Sequence, residues 1–271
     1  MKKVLLCVLL TTTSAFAQST SNVQYLANEG VMVTYSDSKV LFDPLFNNSY
    51  NNYQMVPDDV RSLIISGDAP YDDVDAIFVS HYHGDHFSAP DILAVLRNQS
   101  AVRVYTTLQA IDALRDAATI DDEQLLTRVT GLDLGYGDAP VSIEYGDIRI
   151  EAVHIPHSGW PSARTDIQNI AFRVTLEDEG TVVHLGDSDA RDVHFANDAD
   201  YWEERQTDLA LPPYWFFLTE QGPGILDDRI GARHAIGIHV PATFSDPAQV
   251  PPELKGRDLF TSPGEERTIQ N

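Results

Sequence analysis

Cysteine is almost absent from this chain: of its 271 residues only Cys7 carries a thiol. Disulfides are therefore excluded as staples, and any metal must be held by imidazoles and carboxylates. No Gly-x-Ser-x-Gly step is present either, so covalent catalysis through an exposed serine or a thiol is not expected. Positive charge is scarce: 18 Lys and Arg stand against 41 Asp and Glu, for a formal charge of −23. Such a surface repels anionic membranes and nucleic acid, whose phosphates need clustered Lys and Arg. No nucleic-acid partner is expected.

The length allows one large domain or two small ones with a substantial core. Lys2-Lys3, an apolar run over residues 4–10 and Ala15-Phe16-Ala17 follow the order of a secretory signal. The apolar run is too short to cross a bilayer. Residues 1–17 are read as a signal peptide cleaved after Ala17, and residues 18–271 as one domain released to the periplasm or the exterior. Once the leader is cut no cysteine remains, and no stable membrane insertion is expected.

What is present in quantity is histidine at one place. Ala76-Ile77-Phe78-Val79 reads as a buried strand that stops at Ser80-His81-Tyr82-His83-Gly84-Asp85-His86. A period of two points His81 and His83 the same way. Gly84 lets the chain turn so that Asp85 and His86 face the same point. Imidazole nitrogens and a carboxylate converging in this way suit zinc, at about 2.0–2.2 Å; manganese and iron accept the same donors. A polar loop with solvated histidines is the plainer alternative, but donors this dense after a buried strand argue for a metal site.

Alternation over residues 25–35 and a turn at Asp37-Ser38 lead into Lys39-Val40-Leu41-Phe42, a hairpin closed by Asp43-Pro44. The Asn- and Tyr-rich stretch 47–60 reads as a long loop, either plain surface or overhanging a cleft. Ser88 and Pro90 open a helix to about Asn98, 102–105 is a strand, and Leu108, Ile111 and Leu114 space a helix over 108–117. Residues 119–137 read as a polar connector. A hairpin over 141–145 and 148–153 runs into His154-Ile155-Pro156-His157. Two histidines compete there for a metal. His154 still belongs to the strand, whereas His157 leaves it behind a proline, as His81 leaves its own strand, and His157 is preferred.

Strands over 169–176 and 181–185 end in Gly186-Asp187, and alternation turns His184 away from the Asp187 face. In the aromatic run Pro212-Pro213-Tyr214-Trp215-Phe216-Phe217, the two phenylalanines read as core, and Tyr214 and Trp215 as core or cleft wall. A helix over 226–232 and a strand over 235–238 deliver His239. His194 and its Asp-rich surroundings read as a solvated loop, and His234 as a surface or helix-end histidine.

The His-x-His-x-Asp-His motif, followed in order by His157, Asp187 and His239, resembles the metallo-β-lactamase superfamily over nearly the whole chain beyond the leader. The resemblance implies an α/β fold, the four-layered αββα sandwich, with a two-metal cleft at one edge. It implies His81, His83 and His157 on one ion, Asp85, His86 and His239 on the other, and Asp187 bridging, with Asp85 also catalytic in proton transfer. Asp43 is either a turn former or a carboxylate that holds a ligand imidazole. Two divalent ions, zinc before manganese or iron, would acidify a shared water to a metal-bound hydroxide that attacks a carbonyl or phosphoryl centre.

The turn Ser158-Gly159-Trp160-Pro161 departs from the Thr-Pro-Gly-like turn of glyoxalase II and the long-known β-lactamases. It is more similar to the branch of ascorbate-6-phosphate lactonase and the phospholipase-D-type phosphodiesterases. The expectation is a secreted metal-dependent hydrolase of an ester-like bond in a small-molecule substrate: a lactone, carboxylic ester or phosphodiester. Trp160, Arg164 and Tyr214 are candidates to contact it, Arg164 as the cation a phosphodiester would want. Tyr82, Tyr145 and Tyr214 are candidates for the tyrosine a lactonase would use. Two alternatives stand beside this reading: a three-histidine-type metallo-β-lactamase, and a non-catalytic metal- or substrate-binding protein on the same scaffold. Di-iron redox chemistry usually comes with a flavin domain, for which the chain has no room.

Overall fold

In the computed structural model, which describes residues 21–269, the central strands are apolar on both faces and are covered on both. The expected signal peptide, residues 1–17, lies outside the described residues. Val40 and Phe42 point one way and Leu41 the other; Ala76 and Phe78 likewise oppose Ile77. A sheet built from such strands needs a layer above and a layer below.

The first sheet holds β1 (Ser21–Ala27), β2 (Gly30–Tyr35), β3 (Ser38–Phe42), β4 (Ala76–Phe78), β5 (Arg103–Thr107) and β6 (Val129–Leu132), side by side in that order. β1 to β3 are antiparallel, and β3 to β6 parallel. The second sheet holds β7 (Val141–Tyr145), β8 (Ile148–His154), β9 (Ile170–Leu176), β10 (Gly180–His184), β11 (Thr207–Leu211) and β12 (Ala232–Ala235). β13 (Glu266–Thr268) returns to the first sheet against β1.

Helices α1 (Asp58–Ser66), α2 (Ala89–Asn98) and α3 (Leu108–Ala117) cover the outer face of the first sheet through Ile64, Ile92, Leu96 and Leu114. On the far side, α4 (Asp192–Ala196) and α5 (Ala199–Glu203) press Phe195 and Trp202 onto Val153, Ala171 and Val183. Between the sheets lie Val33, Phe42, Phe78, Ile150, Phe172, Val182 and Leu211. Helices, sheet, sheet and helices thus form the expected four layers. Among the described residues no helix is long and apolar enough to cross a membrane.

Several local expectations are corrected. Residues 25–35 do not form one strand: Asn28, at φ 50°, reverses the chain, and β1 and β2 pair across Asn28-Glu29. The connector 119–137 contains β6, an edge strand with only Leu132 buried, which left too little apolar pattern to read. The helix expected over 226–232 begins earlier, at Gly222, and continues as a wide turn over Ile225–Arg229. The strand expected over 235–238 sits at Ala232–Ala235 instead.

Candidate metal centre

The donors come from strand ends that meet at one edge of the sandwich. β4 ends at Phe78 and releases His81, His83, Asp85 and His86; β8 releases His157; β10 releases Asp187. A bridge between Pro213 and Ile238 places His239 one residue on, at φ 58°. The His239 N–H donates to the Asn28 carbonyl (2.8 Å), and the Asn28 side chain donates to the Asp85 carbonyl (2.8 Å). Asn28 thus ties the histidine-rich loop to the late histidine. Asn169 does the same for Asp187: its Oδ1 accepts the Asp187 N–H, and its Nδ2 donates to the Ile155 and Leu185 carbonyls.

Gly186, at φ 54°, makes the step into Asp187 possible. A Cβ there would stand 2.5 Å from Asn169 Oδ1 and 2.7 Å from Ser80 Cβ. Gly186→Ala is therefore expected to cost about 1–3 kcal/mol from the backbone conformation alone. It should also displace Asp187, seen as a lower melting temperature together with a reduced metal content; unchanged values of both would show that the turn yields without moving the carboxylate.

The side chains form two groups. His81 Nε2 and His83 Nδ1 are 3.0 Å apart, His83 Nδ1 and His157 Nε2 3.3 Å, and His157 Nε2 lies 3.1 Å from Asp187 Oδ2. In the second group His86 Nε2 and His239 Nε2 are 3.2 Å apart, and His239 Nε2 lies 3.4 Å from Asp85 Oδ2. Asp187 Oδ1 reaches this group as well, at 3.0 Å from His239 Nε2 and 3.4 Å from His86 Nε2. One carboxylate therefore faces both groups, with one oxygen to each.

Imidazole nitrogens this close to one another share no proton comfortably, and a common cation between them resolves the contact. The tautomers agree. Ser80 Oγ donates to Asp43 Oδ2 (2.6 Å) and so accepts from His81 Nδ1 (3.0 Å). His86 Nδ1 donates to Asp43 Oδ2 (2.9 Å), and His157 Nδ1 to the Ser158 carbonyl (3.0 Å). Each bond leaves the Nε2 lone pair directed inward. Asp43 thus accepts from both His86 and Ser80, and Ser80, a residue the sequence did not single out, links it to His81.

Burial lowers His81 well below the usual histidine range and His83 to about 4, so both stay neutral donors at neutral pH. Burial would lower His86 and His239 too, but Asp187, joined by Asp43 and Glu29 at His86 and by Asp85 and Glu29 at His239, holds both well above the usual range. Asp187, despite burial, is held well below the carboxylate range by the imidazoles of His239 and His86. The second group thus draws positive charge inward, and together the donor chemistry fits a pair of divalent ions.

Around the donors stands an aromatic wall. Tyr53, from the long loop, meets the His239 ring edge-on at 4.3 Å, and Trp215 meets it at 5.2 Å. Tyr214 packs against Trp215 and Phe244, and the half-exposed Tyr82 lies 5.4 Å from His83. Tyr145 is elsewhere, beneath Arg103 on the sheet. Arg164 donates to the Ser158 carbonyl. A cavity of about 290 Å³ beside His157 is lined by Ser158, Asp189, Arg191, Trp215 and Gln221.

His154 stays out of the cluster, its Nδ1 donating to the Leu134 carbonyl, and His184 stacks on Phe42 between the sheets. His234 sits on β12 beside Asp258 (3.0 Å). His194 is not in a solvated loop: it is buried in α4, bonded to Tyr136 Oη (2.8 Å) and edge-on to Trp160. Its partner Tyr136 arrives from the supposed connector, so the polar tract around it gave the wrong signal.

A family model, the beta-lactamase superfamily domain, matches residues 38–217. Among curated proteins no match is found. The chain is similar in fold to the metallo-beta-lactamase fold protein YhfI from Bacillus subtilis, at 18% identity over 93% of this chain and 100% of that one, with a TM-score of 0.58. It is also similar to an isothiocyanate hydrolase from Delia radicum gut bacteria (14% identity, 91% and 98% covered, TM-score 0.57). A third likeness is to CmlA, a diiron beta-hydroxylase from Streptomyces venezuelae (16% identity, 94% of this chain and 55% of that one, TM-score 0.55).

Proposed function

The chain belongs to the beta-lactamase superfamily, and from that membership and its converging donors we propose that it is a metal-dependent hydrolase of an ester-like bond. The observation that carries this reading is the Asp187 carboxylate, which offers Oδ2 to the group of His81, His83 and His157 and Oδ1 to that of His86 and His239. The first three histidines would hold one ion, and Asp85, His86 and His239 the other. When bound, such a pair lowers the pKa of a shared water from about 15.7 towards roughly 7 and polarises the oxygen under attack. Zinc suits the donors first; iron and manganese accept them too, and the fold of a diiron enzyme is similar.

The chain's own groups do the rest. Asp85 would accept the proton of the attacking water. Burial pushes it up, but the imidazoles of His239 and His86 outweigh that and keep it below the usual carboxylate range, an anion at neutral pH. Asp43 and Ser80 hold His86 and His81 in orientation. Tyr53, Trp215 and Tyr214 favour a substrate with an apolar or aromatic part beside His239. Arg191 is already paired with Asp189 (2.6 Å), and Arg164 with a carbonyl. That leaves little cationic help for a phosphodiester and favours a neutral carboxylic ester or lactone. The leader read from residues 1–17 supports export.

The test is a panel of aryl esters, lactones and aryl phosphodiesters offered to the metal-loaded protein and to Asp85→Asn. Chelator-sensitive turnover of a neutral ester or lactone, lost in Asp85→Asn, is expected. Preference for the phosphodiester would sink the substrate class. Turnover of nothing, with ligand binding kept in Asp85→Asn, would leave a binding protein on this scaffold.

A further inference from the structure

Glu29, in the turn between β1 and β2, has no place in the donor set above. It is fully buried, and neither carboxylate oxygen has a hydrogen-bond partner. A buried carboxylate left in that state is strongly unfavourable unless a cation or proton answers it. Neither neighbouring imidazole hydrogen-bonds the carboxylate: His86 Nδ1 is 3.6 Å away and donates to Asp43, and His184 Nε2 is 3.7 Å away and donates to the Glu29 carbonyl.

What the side chain does approach is the second ion position. One ligand atom each from Glu29, Asp187 and His239 lie within 4.8 Å of one another. Donors at about 2.0–2.2 Å from one ion stand up to about 4.4 Å apart, so a side-chain shift of a few tenths of an ångström brings the carboxylate onto an ion held there. A second orphan points the same way. Asp187 Oδ1, buried and close to His239, accepts no aligned hydrogen bond.

We propose that Glu29 is a further metal ligand, closing the buried side of the second ion position as a third carboxylate beside Asp85 and Asp187. The proposal rests on the reading that the two groups hold metal. Three oxygens and two imidazoles then surround that ion, a donor set that manganese and iron(II) accept as readily as zinc. Glu29 directly follows Asn28, which bonds the segments carrying Asp85 and His239.

Wild-type protein, Glu29→Gln and Glu29→Asp are to be stripped with chelator and titrated with Zn²⁺ in equilibrium dialysis, with bound metal counted by elemental mass spectrometry. Fewer than two equivalents on the wild type would remove the two-metal reading, and this proposal with it. Given two, Glu29→Gln should hold the first equivalent like the wild type and the second about 10–100-fold more weakly, the scale of lost support at a metal site. Glu29→Asp should recover part of that. The stripped Glu29→Gln protein should melt no lower than the stripped wild type, since neither carboxylate oxygen makes a hydrogen bond for the change to break. Affinity for the second equivalent within twofold of the wild type would overturn the proposal. So would weaker binding matched by an equal loss of stripped-state stability, the mark of a structural role. Where the variant does not fold, anomalous diffraction from metal-loaded wild-type crystals decides: a Glu29 oxygen on an ion supports the proposal, and none on either ion overturns it.

Discussion

Asp187→Ala is expected to strip at least one ion from the protein and to lower its hydrolytic rate at least ~10³-fold, because under the proposed two-metal mechanism the shared water would lose the pair that acidifies it. Among the described residues Asp187 alone presents an oxygen to each group of histidines, at 3.1 Å from His157 and 3.0 Å from His239. Without it His86 and His239 also lose the carboxylate that draws positive charge between them. Asp187→Asn keeps the shape and removes the charge, and should fall between the two. Metal counting and kcat/KM on the best substrate of the panel check both variants. Two ions retained with a rate within tenfold of the wild type would show that the carboxylate does not join the positions.

The largest effect on stability is expected away from the site, at Arg173. Its guanidinium is fully buried on β9, donates twice to Glu151 (2.9 and 2.8 Å) and once to the Tyr201 carbonyl, and lies 3.9 Å over the Tyr201 ring. One side chain thus fastens α5 to the second sheet. Arg173→Met strands Glu151 in the interior and should cost about 3–5 kcal/mol. In a chain of this size that lowers the melting temperature on the order of 10 °C. The double variant Arg173→Met with Glu151→Met should recover much of the loss, since replacing a whole buried pair with apolar groups is often neutral. A single-variant loss below about 1 kcal/mol would show that Arg205, 3.4 Å from Glu151, takes over the pairing.

How much of this was legible in the chain depended on how local each signal is. His81, His83, Asp85 and His86 lie within six residues behind an apolar strand, so period-two geometry alone converges them. Phe42, Phe78 and Val182 announce the sheets in the same way. His157, Asp187 and His239 were readable as strand-exit residues in a set order, and the structure brings all three to the first four. The supporting residues were not readable. Asn28, Ser80 and Asn169 act through bonds to backbone or side chains far along the chain, and each looks like an ordinary turn or strand-end residue. Glu29 was hidden because Asn-Glu-Gly has the composition of a solvated turn, and only the pairing of β1 with β2 buries it. Tyr53 lay in a stretch recognised as a loop that could overhang a cleft, but which tyrosine reached the donors was a matter of tertiary packing. His194 failed for the opposite reason: acidic neighbours suggested solvent, while Tyr136 and Trp160 cover it.

Elemental mass spectrometry of the purified, folded protein, before any chelator is added, tests the proposed two-metal site most directly. About two divalent ions per chain are expected, most of them zinc. One ion or none, in protein that is folded and has not been stripped, would contradict it and leave the converging histidines as a binding site without the shared water.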